Sequence, residues 1–125
     1  MIEVAAVIGH NGVPFCWHLP EGRTGGSIPD SRQLWDVLWD NRQDLAGVAH
    51  SHPGAGVPSP SHTDVTTFAS IEAALGVRLN WWITSSTDLI VCRWVGPERL
   101  HYGLENVKNE PEWATALRRM SDERY

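Results

Sequence analysis

Residues 50–53 read His-Ser-His-Pro, and this short stretch constrains the chain more than any other. The run Leu-Ala-Gly-Val-Ala at residues 45–49 has the texture of a buried strand. Side chains alternate faces along a strand, so His50 and His52 point the same way. Pro53 stops the strand, because proline has no N–H for the ladder. Residues 53–60 are nearly all Gly, Pro, Ala, Val and Ser, which makes a loop. Ser-His-Thr-Asp at residues 61–64 then opens an apolar-periodic segment with the look of a helix start. Two imidazoles on one face, with a carboxylate arriving from the next turn, make a three-ligand N,N,O set. A tetrahedral ion held that way keeps one open position, the layout of a catalytic zinc site. A structural site wants a fourth protein ligand, usually a thiolate, and no cysteine lies near.

His50-Ser51-His52-Pro53 followed by Ser61-His62-Thr63-Asp64 resembles the fingerprint of the MPN/JAMM (JAB-type) metalloproteases: H-x-H-P, a short loop, then S-x-x-D. Eight residues separate His52 from Ser61, where that family usually has seven. Ser59 is the other candidate for the serine slot, but its spacing to Asp64 is too long, so a one-residue insertion with Ser61 in the slot is the smaller disturbance. The resemblance implies that His50, His52 and Asp64 hold Zn²⁺, which lowers the pKa of bound water to about 7 and polarises a carbonyl. It implies that Ser61 donates to the oxyanion of a tetrahedral intermediate. Ser-x-x-Asp also reads as a helix capping box, and both roles are compatible. The family's general base is a glutamate on an early strand, followed by small and aliphatic residues and a glycine. Glu3-Val4-Ala5-Ala6-Val7-Ile8-Gly9 has that texture, so Glu3 is the candidate base, with Glu21 the alternative. A carboxylate in an otherwise apolar run is costly unless it has a partner.

The 125 residues suffice for one domain with a real core, expected to span residues 1–125. Ten basic and 15 acidic residues give a formal charge of −5 with no basic run, so nucleic acid finds no support as a partner. No window approaches the ~18 unbroken apolar residues of a membrane span. The N-terminus lacks the features of a signal peptide, so the cytoplasm is the expected compartment. Cys16 and Cys92 fall in expected strands and read as small buried side chains rather than a disulfide or metal ligands.

Along the chain, residues 1–10 read as a strand, Asn11-Gly12 as a tight hairpin turn, and 13–19 as a second strand. Residues 20–29 form a Gly/Pro-rich loop. A helix capped by Asp30 or Ser31 follows, with Leu34, Trp35, Leu38 and Trp39 as its core stripe, ending near Asn41 or Arg42. Gly47 within strand 44–52 marks a close backbone approach. The helix bearing Asp64 runs over 63–75, with an apolar arc of Val65, Phe68, Ala69, Ile71, Ala73 and Leu75, and Gly76 as its stop. Strands at 78–84 and 89–95 follow, joined by Ser85-Ser86-Thr87-Asp88, with one indole of Trp81-Trp82 on each face. A short strand is expected at 99–102. A last helix begins at Asn109 or Glu110 with Pro111 in its first turn, docked by Trp113, Leu117 and Met120, and Arg118 and Arg119 suit its C-terminal end. Most of the seven tryptophans occupy periodic apolar positions and read as core.

This order gives an α/β fold with a mixed, mostly antiparallel sheet flanked by helices; the resemblance implies the cytidine-deaminase-like JAMM/MPN arrangement. The expected activity is zinc-dependent hydrolysis of a peptide or isopeptide bond in a protein or peptide substrate. By resemblance, that bond follows the C-terminus of a ubiquitin-like or sulfur-carrier protein. The compact chain lacks the long insertions by which deubiquitinating relatives hold ubiquitin, so a stand-alone bacterial or phage-type peptidase is the closer expectation. The rival is an MPN-type scaffold or binding module without turnover. Other zinc enzymes lack their signatures: there is no H-E-x-x-H, and no H-x-E with P-C-x-x-C of a nucleobase deaminase. His10, His18, His62 and His101 are isolated, with His62 nearest the candidate site. No feature of the sequence bears on oligomeric state.

Overall fold

A computed structural model describes residues 4–18, 32–52 and 54–122. Six strands form one sheet in the order β2-β1-β3-β4-β5-β6, with the last helix closing the described chain. The strands are β1 (Ala5–Gly9), β2 (Pro14–His18), β3 (Leu45–Ser51), β4 (Asn80–Thr84), β5 (Leu89–Trp94) and β6 (Tyr102–Asn106). The helices are α1 (Arg32–Asp40), α2 (His62–Leu75) and α3 (Glu112–Asp122). Every pairing is antiparallel except β3 with β4. Parallel strands require a crossover, and α2 supplies it. The expected α/β class, with a mixed, mostly antiparallel sheet between helices, is the one observed.

The β1–β2 hairpin turns where Asn11-Gly12 predicts. Gly12 takes a φ of 80°, and the Asn11 side chain accepts from Val13 N at 3.0 Å. One sheet face packs on α1 and α2 through Ala5, Val7, Val48, Trp81, Ile83 and Cys92 against Leu38, Phe68 and Leu75. The other face packs on α3 through Val4, Ala6, Ile8 and Ala49 against Trp113, Ala114 and Leu117. Trp81 joins the first cluster and Trp82 borders the second, the split that their adjacency in one strand requires. At Gly47 a Cβ would lie 1.8 Å from the Asn80 carbonyl oxygen, so only glycine lets β3 and β4 approach as they do.

Several expectations need correction. The short strand placed at 99–102 is instead a turn, closed by His101 N donating to Glu98 O, and β6 begins only at Tyr102. On α1, Leu38 is buried and Leu34 and Trp35 are half-buried, but Trp39 is 42% exposed. A stripe of adjacent pairs is wider than one helix can bury here. Trp39 instead stacks on Trp35 with the Arg42 guanidinium 4.0 Å over its ring. On α2, Ala73 faces solvent and Glu72 is buried in its place. Of the tryptophans, only Trp81 and Trp113 are fully buried among the described residues, and Trp17 is exposed like Trp39. Arg118 is not spent on the end of α3: it donates to Ser85 O and forms a two-pronged pair with Glu110. Both cysteines are free thiols, Cys16 half-buried and Cys92 buried. The expected caps Asp30 and Ser31, and the Pro/Gly loop at 20–29, lie outside the described residues.

Candidate metal centre

β3 lies inside the sheet, between β1 and β4, and its C-terminal end carries the first histidine. His50 shares a face with Val48, turned toward α2, where its ring lies edge-on to Phe68 at 6.3 Å. His52 follows the strand end, and its N–H donates to Thr84 O at 2.7 Å, which prolongs the β3–β4 pairing by one residue. Ser51, between them, points to the opposite face. Its Oγ accepts from Val4 N at 2.9 Å, and its own N–H donates to Val4 O at 3.0 Å. The start of the described chain is thereby tied to the residue between the two histidines.

Asp64 enters from the first turn of α2. Ser61 is the N-cap: its Oγ accepts from Asp64 N at 3.0 Å, and Asp64 Oδ2 accepts from Ser61 N at 2.9 Å. This is a complete capping box with Asp in the position where Glu is usual. It orients the carboxylate back over the helix start and toward β3. Because the Ser61 oxygen acts as acceptor in the box, its own O–H remains a donor.

His50, His52 and Asp64 form the one group of three or more His, Cys, Asp or Glu among the described residues whose ligand atoms lie together, all within 4.8 Å. Nε2 of His50 is 3.0 Å from Nε2 of His52, which is 3.2 Å from Asp64 Oδ2; the third edge is 3.9 Å. Ligand atoms of a tetrahedral zinc, with bonds of about 2.0–2.2 Å, stand about 3.3–3.6 Å apart. The three edges bracket that spacing, and two imidazoles with one carboxylate are donors that zinc accepts, so the residues fit the ion.

Electrostatics favour the ligating protonation states of His50 and Asp64. Burial, with the neighbouring His52, lowers the pKa of His50 to about 4 against the opposing pull of Asp64, so its imidazole is neutral at physiological pH. Burial pushes the Asp64 carboxyl up, but the His52 hydrogen bond, the charge of His50 and the Ser61 N–H outweigh it and hold the group at about 2. Beneath the site, burial and the Asp64 charge push the Cys92 thiol up to about 12, so it is an un-ionised, inert filler.

Of the residues singled out in the sequence, His50, His52 and Asp64 are brought together, and Ser61 adjoins them through the capping box. Glu3 and Glu21 lie outside the described residues. Ser59 is exposed and takes no part in the box. His62 is exposed at the first turn of α2. Sequence reasoning missed two supports. One is Glu72, hidden in an apolar arc. The other is the Ser85-Ser86-Thr87 turn, read only as a connector.

No curated protein matches the chain. The family described as prokaryotic homologs of the JAB domain matches residues 4–96, from the start of the described chain to just past β5, and its members include both metalloproteases and inactive proteins. With that match covering well over half of its length, the chain belongs to the family of prokaryotic homologues of the JAB domain.

Proposed function

We propose that this protein is a zinc-dependent metallopeptidase in which His50, His52 and Asp64 hold the ion. The observation that carries the reading is the convergence of three ligand atoms, from a strand end and a helix start, at separations of 3.0–3.9 Å. Zinc, when bound, supplies Lewis acidity for a carbonyl and acidifies water. The protein's own residues do the rest. His50 offers a lone pair because it is kept neutral, and Asp64 adds one negative charge already fixed by the helix cap. The Ser61 hydroxyl donates to the oxyanion that develops on the scissile carbonyl, an interaction worth about 3–4 kcal/mol when such donors are preorganised. Glu3 is the general base: its carboxylate takes a proton from the attacking water and returns it to the leaving amine, a contribution of about 10²–10⁴ in rate. Support for Glu3 comes from its neighbour, because Val4 is hydrogen-bonded twice to Ser51 between the two histidines.

The substrate in this reading is a protein or peptide cut at a peptide or isopeptide bond, with the C-terminus of a ubiquitin-like or sulfur-carrier protein the favoured acyl side. The 125 residues work as one domain, in the cytoplasm, without nucleic acid or membrane as partner. No helix among the described residues is long and apolar enough to cross a membrane. The test is zinc content together with cleavage of a sulfur-carrier fusion. Wild type should carry one zinc per chain and cut; Glu3→Gln should keep the zinc and lose cleavage. An active Glu3→Gln variant moves the base to Glu21. A zinc-loaded wild type that cuts no ubiquitin-like or sulfur-carrier fusion favours the binding-module alternative.

A further inference from the structure

We propose that the Ser85-Ser86-Thr87 turn between β4 and β5 is a positioning element for the metal centre, clamping the loop that joins the His50/His52 strand end to the Asp64 helix. The proposal rests on the metallopeptidase reading and adds a set of residues outside the ligands.

The loop has every reason to be loose. Residues 53–60 are rich in Gly and Pro, and Gly54 and Gly56 adopt φ values of 100° and 92°, conformations that glycine takes without strain. It is also one residue longer than the spacing usual for the motif. Yet four hydrogen bonds tie it to the neighbouring turn. Ser86 donates to Gly54 O from both its N–H, at 2.9 Å, and its hydroxyl, at 3.0 Å. Ser85 Oγ donates to Gly56 O. Gly56 N donates to Thr87 Oγ1 at 2.8 Å.

The turn itself is stiff. Ser85 Oγ accepts from Asp88 N at 3.0 Å and Thr87 N at 3.3 Å, and Thr87 Oγ1 donates to Asp88 Oδ2 at 2.7 Å. From behind, Arg118 Nε donates to Ser85 O at 2.8 Å while its guanidinium grips Glu110. Ser85 is 4% exposed, so its hydroxyl is a buried hub rather than a solvated group.

The consequence falls on His52. That residue lies beyond the last residue of β3, where a strand end frays. It is bracketed instead: Thr84 O accepts from its N–H, and two residues on Ser86 holds Gly54. A metal ligand must be held within about 0.5 Å of its productive position by groups outside the ligand set. The clamp does this for His52 and sets the path by which the loop reaches Ser61.

The test uses the full chain and the metals Zn²⁺ and Co²⁺ alone. Zinc affinity is read by competition with a chromophoric chelator, coordination by the visible spectrum of the Co²⁺ form, and fold by thermal melting of the metal-free protein. Ser85→Ala and Thr87→Val should each weaken zinc binding roughly 10–100-fold and alter the Co²⁺ bands. Thr87→Ser, which keeps the hydroxyl, should retain wild-type values. If both disruptive variants bind zinc like wild type and give its Co²⁺ spectrum, the turn is only structural and the proposal is overturned, even where melting temperatures drop. Should Ser85→Ala not fold, the near-isosteric Thr87→Val on the exposed turn decides alone. A wild-type protein that takes up neither metal removes this proposal together with the metallopeptidase reading. Tight wild-type binding with unaffected variants removes this proposal only.

Discussion

Glu72 offers a sharp test of how α2, and with it Asp64, is held to the sheet. The residue is 3% exposed and its carboxylate accepts four hydrogen bonds. Oε2 takes Leu79 N and Trp81 Nε1, each at 2.9 Å; Oε1 takes Arg78 Nη1 at 3.0 Å and the Tyr102 hydroxyl. Glu72→Ala strands two buried donors, Leu79 N and Trp81 Nε1, at about 1–3 kcal/mol each, while Tyr102 can swing its proton elsewhere. The Arg78 partner is on a side chain that is 56% exposed and turns to water, so it adds less than about 1 kcal/mol. The expected loss is about 3–5 kcal/mol, comparable to breaking a buried pair. Glu72→Gln behaves differently. Its amide oxygen can serve Leu79 N and Trp81 Nε1, while its NH₂ donates to a rotated Tyr102 hydroxyl. Only the charge assistance is lost, at about 1–2 kcal/mol. Urea unfolding of the metal-free proteins measures both, with midpoints shifted by roughly 2 M and under 1 M at ordinary slopes. Equal losses for the two variants, or an Ala loss below about 1 kcal/mol, would refute the reasoning.

Three further outcomes are expected. Gly47→Ala places a Cβ 1.8 Å from Asn80 O, so β3 and β4 must separate; the cost is at least about 3 kcal/mol by denaturant unfolding, and zinc affinity should fall because His50 is three residues along the same strand. Asp64→Ala should leave zinc well below one per chain by elemental analysis and, by deleting half the capping box, cost about 1 kcal/mol; full zinc retention would point to another ligand. The metal-free protein should weaken as pH falls below 6.5. The folded-state pKa of His50 is depressed to about 4, so the unfolded chain binds more protons in that window and stability is lost as pH drops through it, at most about 3 kcal/mol. Asp64, depressed to about 2, adds a further loss below about pH 4. A His50→Gln variant should show a flatter slope between pH 6.5 and 4, and an unchanged slope would remove His50 as the cause.

Much of the architecture and the metal-site candidates was legible in local sequence because local rules dictate them. Alternation in β3 aligns His50 with His52, Ser61 and Asp64 spell a helix cap, Asn11-Gly12 spells a hairpin, and Gly47 in an apolar run signals close backbones. These patterns act over a few residues, where backbone geometry leaves few choices. What the tertiary structure alone decided concerns partners distant in the chain. Glu72 goes unmarked within the apolar arc of α2 until Trp81 and Tyr102 arrive to donate to its carboxylate in the interior. Trp39 looks like core until α1 is found to bury only part of its stripe. Ser85, 29 residues beyond Gly56, reads as a plain turn until β3 and β4 pair in parallel and bring that turn beside the loop. Burial of a polar group depends on donors and acceptors supplied from elsewhere in space, and no window of sequence contains them.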